Sequence, residues 1–195
     1  MRSHSCGEAR VKEREQQIIT WLSEEPLHVR ALMEVQKLGL NDGWLAAGFV
    51  RNLVWDRLHG YPRVTPLNDI DVVYFNPEDR SVEADERLEQ RLRAATPELP
   101  WSVKNQARMH ERHGHVPYAS SAQAISYWVE VETAIGARMN ADGQIELNAP
   151  LGLESLFHLT ITPNPRHAIP AVFAERVSTK GWLRLWPKLE VQEMR

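Results

Sequence analysis

"PLNDIDVVYF", residues 66–75, is the stretch whose reading decides the fold. Its second half is β-branched and aromatic, the composition of a buried strand. Two aspartates nevertheless stand at its start. Residues i and i+2 of a strand share a face, so Asp69 and Asp71 project side by side while Ile70 turns the other way. Two poorly solvated carboxylates this close repel, unless one is protonated or a cation lies between them. Mg²⁺ or Mn²⁺ is such a cation: it takes oxygen ligands, keeps several waters and would accept phosphate oxygens in turn. Taken alone, the pair reads more simply as a solvated strand end, with Asp69 closing the proline-rich loop as an Asx turn.

The segment upstream shifts that balance. "WLAAGF" reads as a buried strand ending in a sharp turn at Gly48, and "VRNLVWDRLHG" as a helix that stops at Gly60. The backbone N–H groups of Phe49, Val50 and Arg51 then open a helix, where unpaired donors and the helix dipole favour an anion. Gly48 lets a phosphate approach without a Cβ in the way, and Arg51 adds charge-assisted hydrogen bonds. Asn52 contacts phosphate or sugar, or else supports the turn. A phosphate-cradling turn followed by a carboxylate pair is more specific than either part alone.

Length and composition set the frame. A chain of 195 residues suits one domain, here residues 13–195, behind a disordered leader over 1–12. A net charge of -3 supplies no global field for nucleic acid. No apolar run is long enough for a membrane, and a single cysteine, Cys6, points to a reducing cytoplasm. The expected order is two N-terminal helices, a mixed α+β middle with a small sheet, and a C-terminal helix. Between Asp71 and the end the sequence suggests a charged helix from Val82, a strand "WSVKNQARMH" and a loop "ERHGHVPYASS". A helix capped by Ser120 or Ser121 follows, then a hairpin turning at Asp142-Gly143, a loop "TITPNPRHAIP" and a helix from Ala171 to Trp186.

"AAGFVRNLVWDRLHGYP" followed by "NDIDVVYF" resembles the polymerase-beta nucleotidyltransferase superfamily, whose pattern is a glycine-containing turn and helix, then Asp-x-Asp on the next strand. "GFVRN" is similar to the Gly-x-Val-Arg-Asp turn of CCA-adding enzymes, with Asn52 in place of the acid. "GFVRNLVWDRLHG", "LNDIDVVYF", "VKNQARMH" and "APLGLESLF" resemble, more closely still, a bacterial family of nucleotidyltransferase-like proteins, from about residue 15 to residue 190. The resemblance implies the polymerase-beta-type fold, with Asp69 and Asp71 as catalytic metal ligands and an NTP as donor substrate. Gly48, Arg51, Asn52 and Lys104 would bind the nucleotide, whose monophosphate passes to the hydroxyl of a small molecule, an RNA end or a protein. The superfamily also uses a third carboxylate. "WSVKNQ" offers none, which leaves Glu130, favoured narrowly, Glu132, or no acid at all; in the last case the chain would be a nucleotide-binding module without turnover. Little room remains for the helical body with which CCA-adding enzymes hold tRNA, so CCA addition is not expected.

Two further segments carry chemistry-bearing side chains. His110, His113 and His115 cluster in "MHERHGH", but zinc needs a fourth ligand at recognisable spacing, so a polar loop near the substrate is the simpler reading. Trp182 and Trp186 interleave with Lys180, Arg184 and Lys188. Such a pattern can grip single strands, yet on a terminal helix tryptophans more often dock on the protein body.

Overall fold

The computed structural model describes residues 3–167 and 169–193. Five strands, β1 (Trp44–Ala46), β2 (Ile70–Tyr74), β3 (Trp101–Asn105), β4 (Gly136–Met139) and β5 (Ile145–Asn148), form one sheet in the order β3-β2-β1-β4-β5. Within this sheet only β2 and β3 run parallel, and α4 (Val82–Ala95) supplies the crossover that a parallel pair requires. Ser81 starts that helix by accepting the Ala84 N–H. Asp71 pairs with Ala46, and Ala46 with Gly136, so the end of β1 lies beside the second aspartate. This register joins the two motifs read separately in the sequence.

Alternation along the strands gives the sheet two unlike faces. Leu45, Ile70, Val72 and Val103 point into the main core, against α1 (Ser3–Glu24), α2 (Pro26–Gln36) and α3 (Gly48–His59), which bring Ile18, Leu22, Leu32, Phe49 and Leu53. The other face holds Trp44, Ala46 and Val73 beneath Ile125 and Trp128, and this smaller cover leaves its β2 and β3 end open. Around that opening lie α5 (His110–His113), α6 (Ser121–Ile125), α8 (Pro170–Thr179) and α9 (Trp182–Leu185), while α7 (Glu154–Phe157) packs on the main core. The strands β6 (Thr160–Ile161) and β7 (Glu190–Val191) pair in parallel.

The α+β architecture, with a small mixed sheet flanked by helices, is the one expected. Details differ. The leader is helical from Ser3, because Glu8, Ala9, Arg10, Lys12 and Glu13 are helix formers continuous with the amphipathic run; residues 1–2 of that leader lie outside the described residues. The C-terminal helix is two helices, broken at Gly181 (φ +68°). β3 stops at Asn105, whose side chain accepts the Ala107 N–H at 3.0 Å and starts a 3₁₀ turn. Val131–Thr133 is a further 3₁₀ turn, and the segment after Leu159, expected as loop, contains β6. Trp182 and Trp186 are buried, packing edge-on to Trp55 with ring centroids 6.0 and 5.1 Å away.

Candidate active site

The turn from β1 into α3 is tighter than its sequence suggests. Its special residue is Ala47 (φ +55°, ψ −122°), not Gly48, which is already helical. A residue with a Cβ is disfavoured there, and the strain is held by surrounding bonds. The Ala47 N–H donates to the Ile135 carbonyl at 2.9 Å, and the Ala47 carbonyl accepts from the N–H groups of Val50 (3.3 Å) and Arg51 (3.0 Å). Helix α3 therefore presents its first N–H groups at the turn, the arrangement that suits an anion. A Cβ on Gly48 would lie 3.5 Å from the Arg51 Nη2 and 3.4 Å from the Asn52 Nδ2. The missing methyl thus leaves open space directly against those two polar heads.

Arg51 is buried. Its guanidinium donates to Thr133 Oγ1 (2.6 Å) and Asn52 Oδ1 (3.0 and 3.2 Å), and lies over the rings of Trp55 and Trp182 at 5.0 and 4.7 Å. Burial lowers its pKa to about 10, partly opposed by Glu130, so it remains a cation at neutral pH. Asn52 consequently orients Arg51 and does not cap the helix. Thr133 passes the contact on: its hydroxyl donates to Glu130 Oε2 (2.9 Å), and Glu130 accepts from Arg176 Nε (2.6 Å) and Nη2 (3.1 Å). Arg51, Thr133, Glu130 and Arg176 form one continuous network across α3, the 3₁₀ turn and α8.

That network accounts for Glu130, the expected third carboxylate. It is 1% exposed with both oxygens engaged, bonded directly to Arg176 and through Thr133 to Arg51. Glu132 is also buried, accepting the Thr162 N–H (2.9 Å) and the Thr160 hydroxyl (3.2 Å), and burial raises its pKa. Across from Asp71 on β3 stands Ser102, and across from Val73 stands Lys104. Among the described residues no group of three His, Cys, Asp or Glu is placed to hold a metal ion.

The remaining expected residues do converge. Gly48, Arg51, Asn52, Asp69, Asp71 and Lys104 all line a cavity of about 390 Å³. Asp69 is exposed and Asp71 half-buried. Burial, and then the charge of Asp69, push the Asp71 carboxyl up to about 6, against the opposing pull of Arg51, Lys180 and Arg176. The carboxylate pair therefore has the unresolved repulsion anticipated from its spacing.

Arg176, which also lines the cavity, escaped the sequence reading, and Lys180, noted there only as part of the basic and aromatic tail, lines it too. Their i,i+4 spacing in "RVSTK" was a usable sign, hidden by the tryptophans beyond it. Asp56 was missed as well. It is 1% exposed and accepts the Thr65 N–H (2.6 Å), the Thr65 hydroxyl (2.6 Å) and the Trp186 indole N–H (2.7 Å), which pins the loop leading to Asp69. His113 meets His115 and, unexpectedly, His167 at ring distances of 5.6 and 5.9 Å; His113 and His167 line the cavity wall. Burial and the two neighbouring imidazoles lower the His113 pKa.

Residues 33–191 match the model of a family described as nucleotidyltransferase. Among solved structures, the chain is similar to a protein whose NMR structure reveals a CCA-adding enzyme head domain. That match has a TM-score of 0.81 and 35% identity, covering 92% of this chain and 96% of the other. A CCA-adding enzyme solved in complex with CTP shares the fold at a TM-score of 0.58 and 14% identity, and the match covers 89% of this chain and 43% of that enzyme. No curated protein matches.

Proposed function

Since this chain belongs to the nucleotidyltransferase family, we propose that residues 13–195 act as one unit that moves a nucleoside monophosphate from an NTP to a hydroxyl acceptor. The observation that carries this reading is the cavity, where two carboxylates face Arg51, Lys104, Arg176 and Lys180 beside a helix start. The cations and the Gly48 turn suit a triphosphate, and the carboxylates suit a metal ion. Asp69 and Asp71 are hard oxygen donors whose mutual repulsion a divalent cation would relieve, so they fit Mg²⁺ or Mn²⁺. When bound, such an ion supplies charge neutralisation on the phosphate oxygens.

The chain's own residues would do the rest. The α3 N–H groups and Arg51 hold and orient the phosphates, and Asn52 and Thr133 fix the guanidinium for that task. Arg176, Lys180 and Lys104 neutralise charge that grows on the leaving pyrophosphate, as a displacement at the α-phosphorus demands. The acceptor hydroxyl belongs to a small molecule, an RNA end or a protein, and the setting is cytoplasmic. No helix among the described residues is long and apolar enough to cross a membrane.

A second reading is a nucleotide-binding module without turnover, favoured by the engagement of Glu130 with Arg176. Incubating the protein with each α-labelled NTP, Mg²⁺ or Mn²⁺ and cell extract as acceptor pool separates the two. Label transfer by wild type and not by Asp69→Ala/Asp71→Ala supports the enzyme. Metal-dependent NTP binding without transfer supports the module. Template-free CCA synthesis on a truncated tRNA is not expected, and detecting it would replace the unknown acceptor with tRNA.

A further inference from the structure

A second groove, of about 350 Å³, runs along the sheet face beside the first cavity. The two share Asp71, Lys104, Gln106, His113, Tyr127 and Trp128, so they meet at the carboxylate. Arg51, Arg176 and Lys180 line the first cavity alone, whereas Ser102, Met109 and Arg112 line the second alone. In-line displacement places the attacking oxygen and the leaving group on opposite sides of phosphorus. If the triphosphate lies against Arg51, Arg176 and Lys180, the acceptor hydroxyl arrives from the groove.

The composition of the groove describes that acceptor. Trp128 is half-buried, backed by Trp44, Val73 and Ile125, and its ring has no aromatic or cationic partner among the described residues. Met109 and Ala124 add apolar surface. Lys104 and Arg112 are exposed, and neither enters an ion pair among the described residues. Asp71, at the inner end, is the groove's single acid. An indole without a ring partner and an unpaired guanidinium, Arg112, in the same groove suit a flat ring bearing a phosphate.

We propose that the groove is the acceptor subsite and takes a nucleotide unit with a free hydroxyl, its base on Trp128 and its phosphate at Arg112. This rests on the nucleotidyl-transfer reading above. The unit is a free nucleotide or the end of an RNA chain, two sources of one chemistry.

The test is calorimetric titration of AMP and of tetra-adenylate RNA into the full chain, with and without saturating Mg²⁺ and α,β-methylene ATP. Both probes should bind the analogue-loaded protein. Affinity should fall at least tenfold in Arg112→Ser, which alters an exposed side chain, and in Trp128→Leu, while Arg112→Ser leaves the analogue's own affinity unchanged. Tetra-adenylate binding tenfold tighter than AMP identifies a chain end, and equal binding identifies a free nucleotide. Probe binding that ignores Arg112→Ser, full displacement of the probes by the analogue, or no probe binding to wild type overturns the proposal; the last result leaves a protein or a non-nucleotide acceptor. If the analogue itself fails to bind, the nucleotidyl-transfer reading falls separately, and the probe titrations without it still decide whether the groove takes nucleotides.

Discussion

Asp71 sits where its own charge is unwelcome. A folded-state pKa raised from 3.8 to about 6 means that the fold disfavours the carboxylate relative to the unfolded chain. Asp71→Asn should therefore stabilise the metal-free protein by about 1–2 kcal/mol at pH 7.5, read from urea unfolding, while NTP turnover falls to background. Ala47 is the other residue held against its preference. Ala47→Gly should raise stability by about 1 kcal/mol, since glycine accepts φ +55° without a Cβ clash; a lower melting temperature in the variant would show that the turn is not strained. That the aspartate pair, Gly48, Arg51 and Asn52 line one cavity was legible, because it follows from spacings of a few residues. The engagement of Glu130 was not, because its partner Arg176 lies 46 positions away.

Among elements, α2 and the first turn of α3 are joined by His28. Its Nε2 bonds the Phe49 carbonyl at 3.0 Å, its ring lies 4.6 Å from that of Phe49, and its Nδ1 is buried without a partner. Burial lowers its pKa from 6.5 to about 4. The unfolded chain binds this proton first, so the stability His28 allows is present above pH 6.5 and is lost as pH falls towards 4. That loss should approach about 3 kcal/mol. Denaturant unfolding between pH 7.5 and 4 measures it, and His28→Gln should lack that part of the slope. A slope unchanged in the variant would assign the effect to other groups. Element types were mostly readable from periodicity, as in α2, α4 and the β4–β5 hairpin. Broken or short elements were not: β6 and β7 owe their existence to each other, and a two-residue strand has no period.

Across the whole molecule, residues from α3 and from the C-terminal helices meet at the site. Asp56 ties the loop before Asp69 to Trp186, and Trp55 packs against Trp182 and Trp186. Asp56→Asn sets an NH2 group against at least one of the three donors and should cost about 1–3 kcal/mol. NTP affinity should fall with it even under conditions where the variant is still folded; unchanged affinity there would show that the loop does not depend on this anchor. The overall architecture was legible from the motif order, whereas the C-terminal contribution to the cavity was not, since the i,i+4 spacing of Arg176 and Lys180 puts them on one helix face without saying that this face meets Asp71.

The lateness of those residues has a consequence during synthesis. A nascent chain that has released everything up to Ile161 from the ribosome already carries Asp69, Asp71 and the α3 turn. It lacks Arg176, Lys180, Trp182 and Trp186, which close the cavity and cover Arg51. At that length the carboxylates stand without their cationic wall, so the cavity can assemble only after the two helices over 170–185 have emerged.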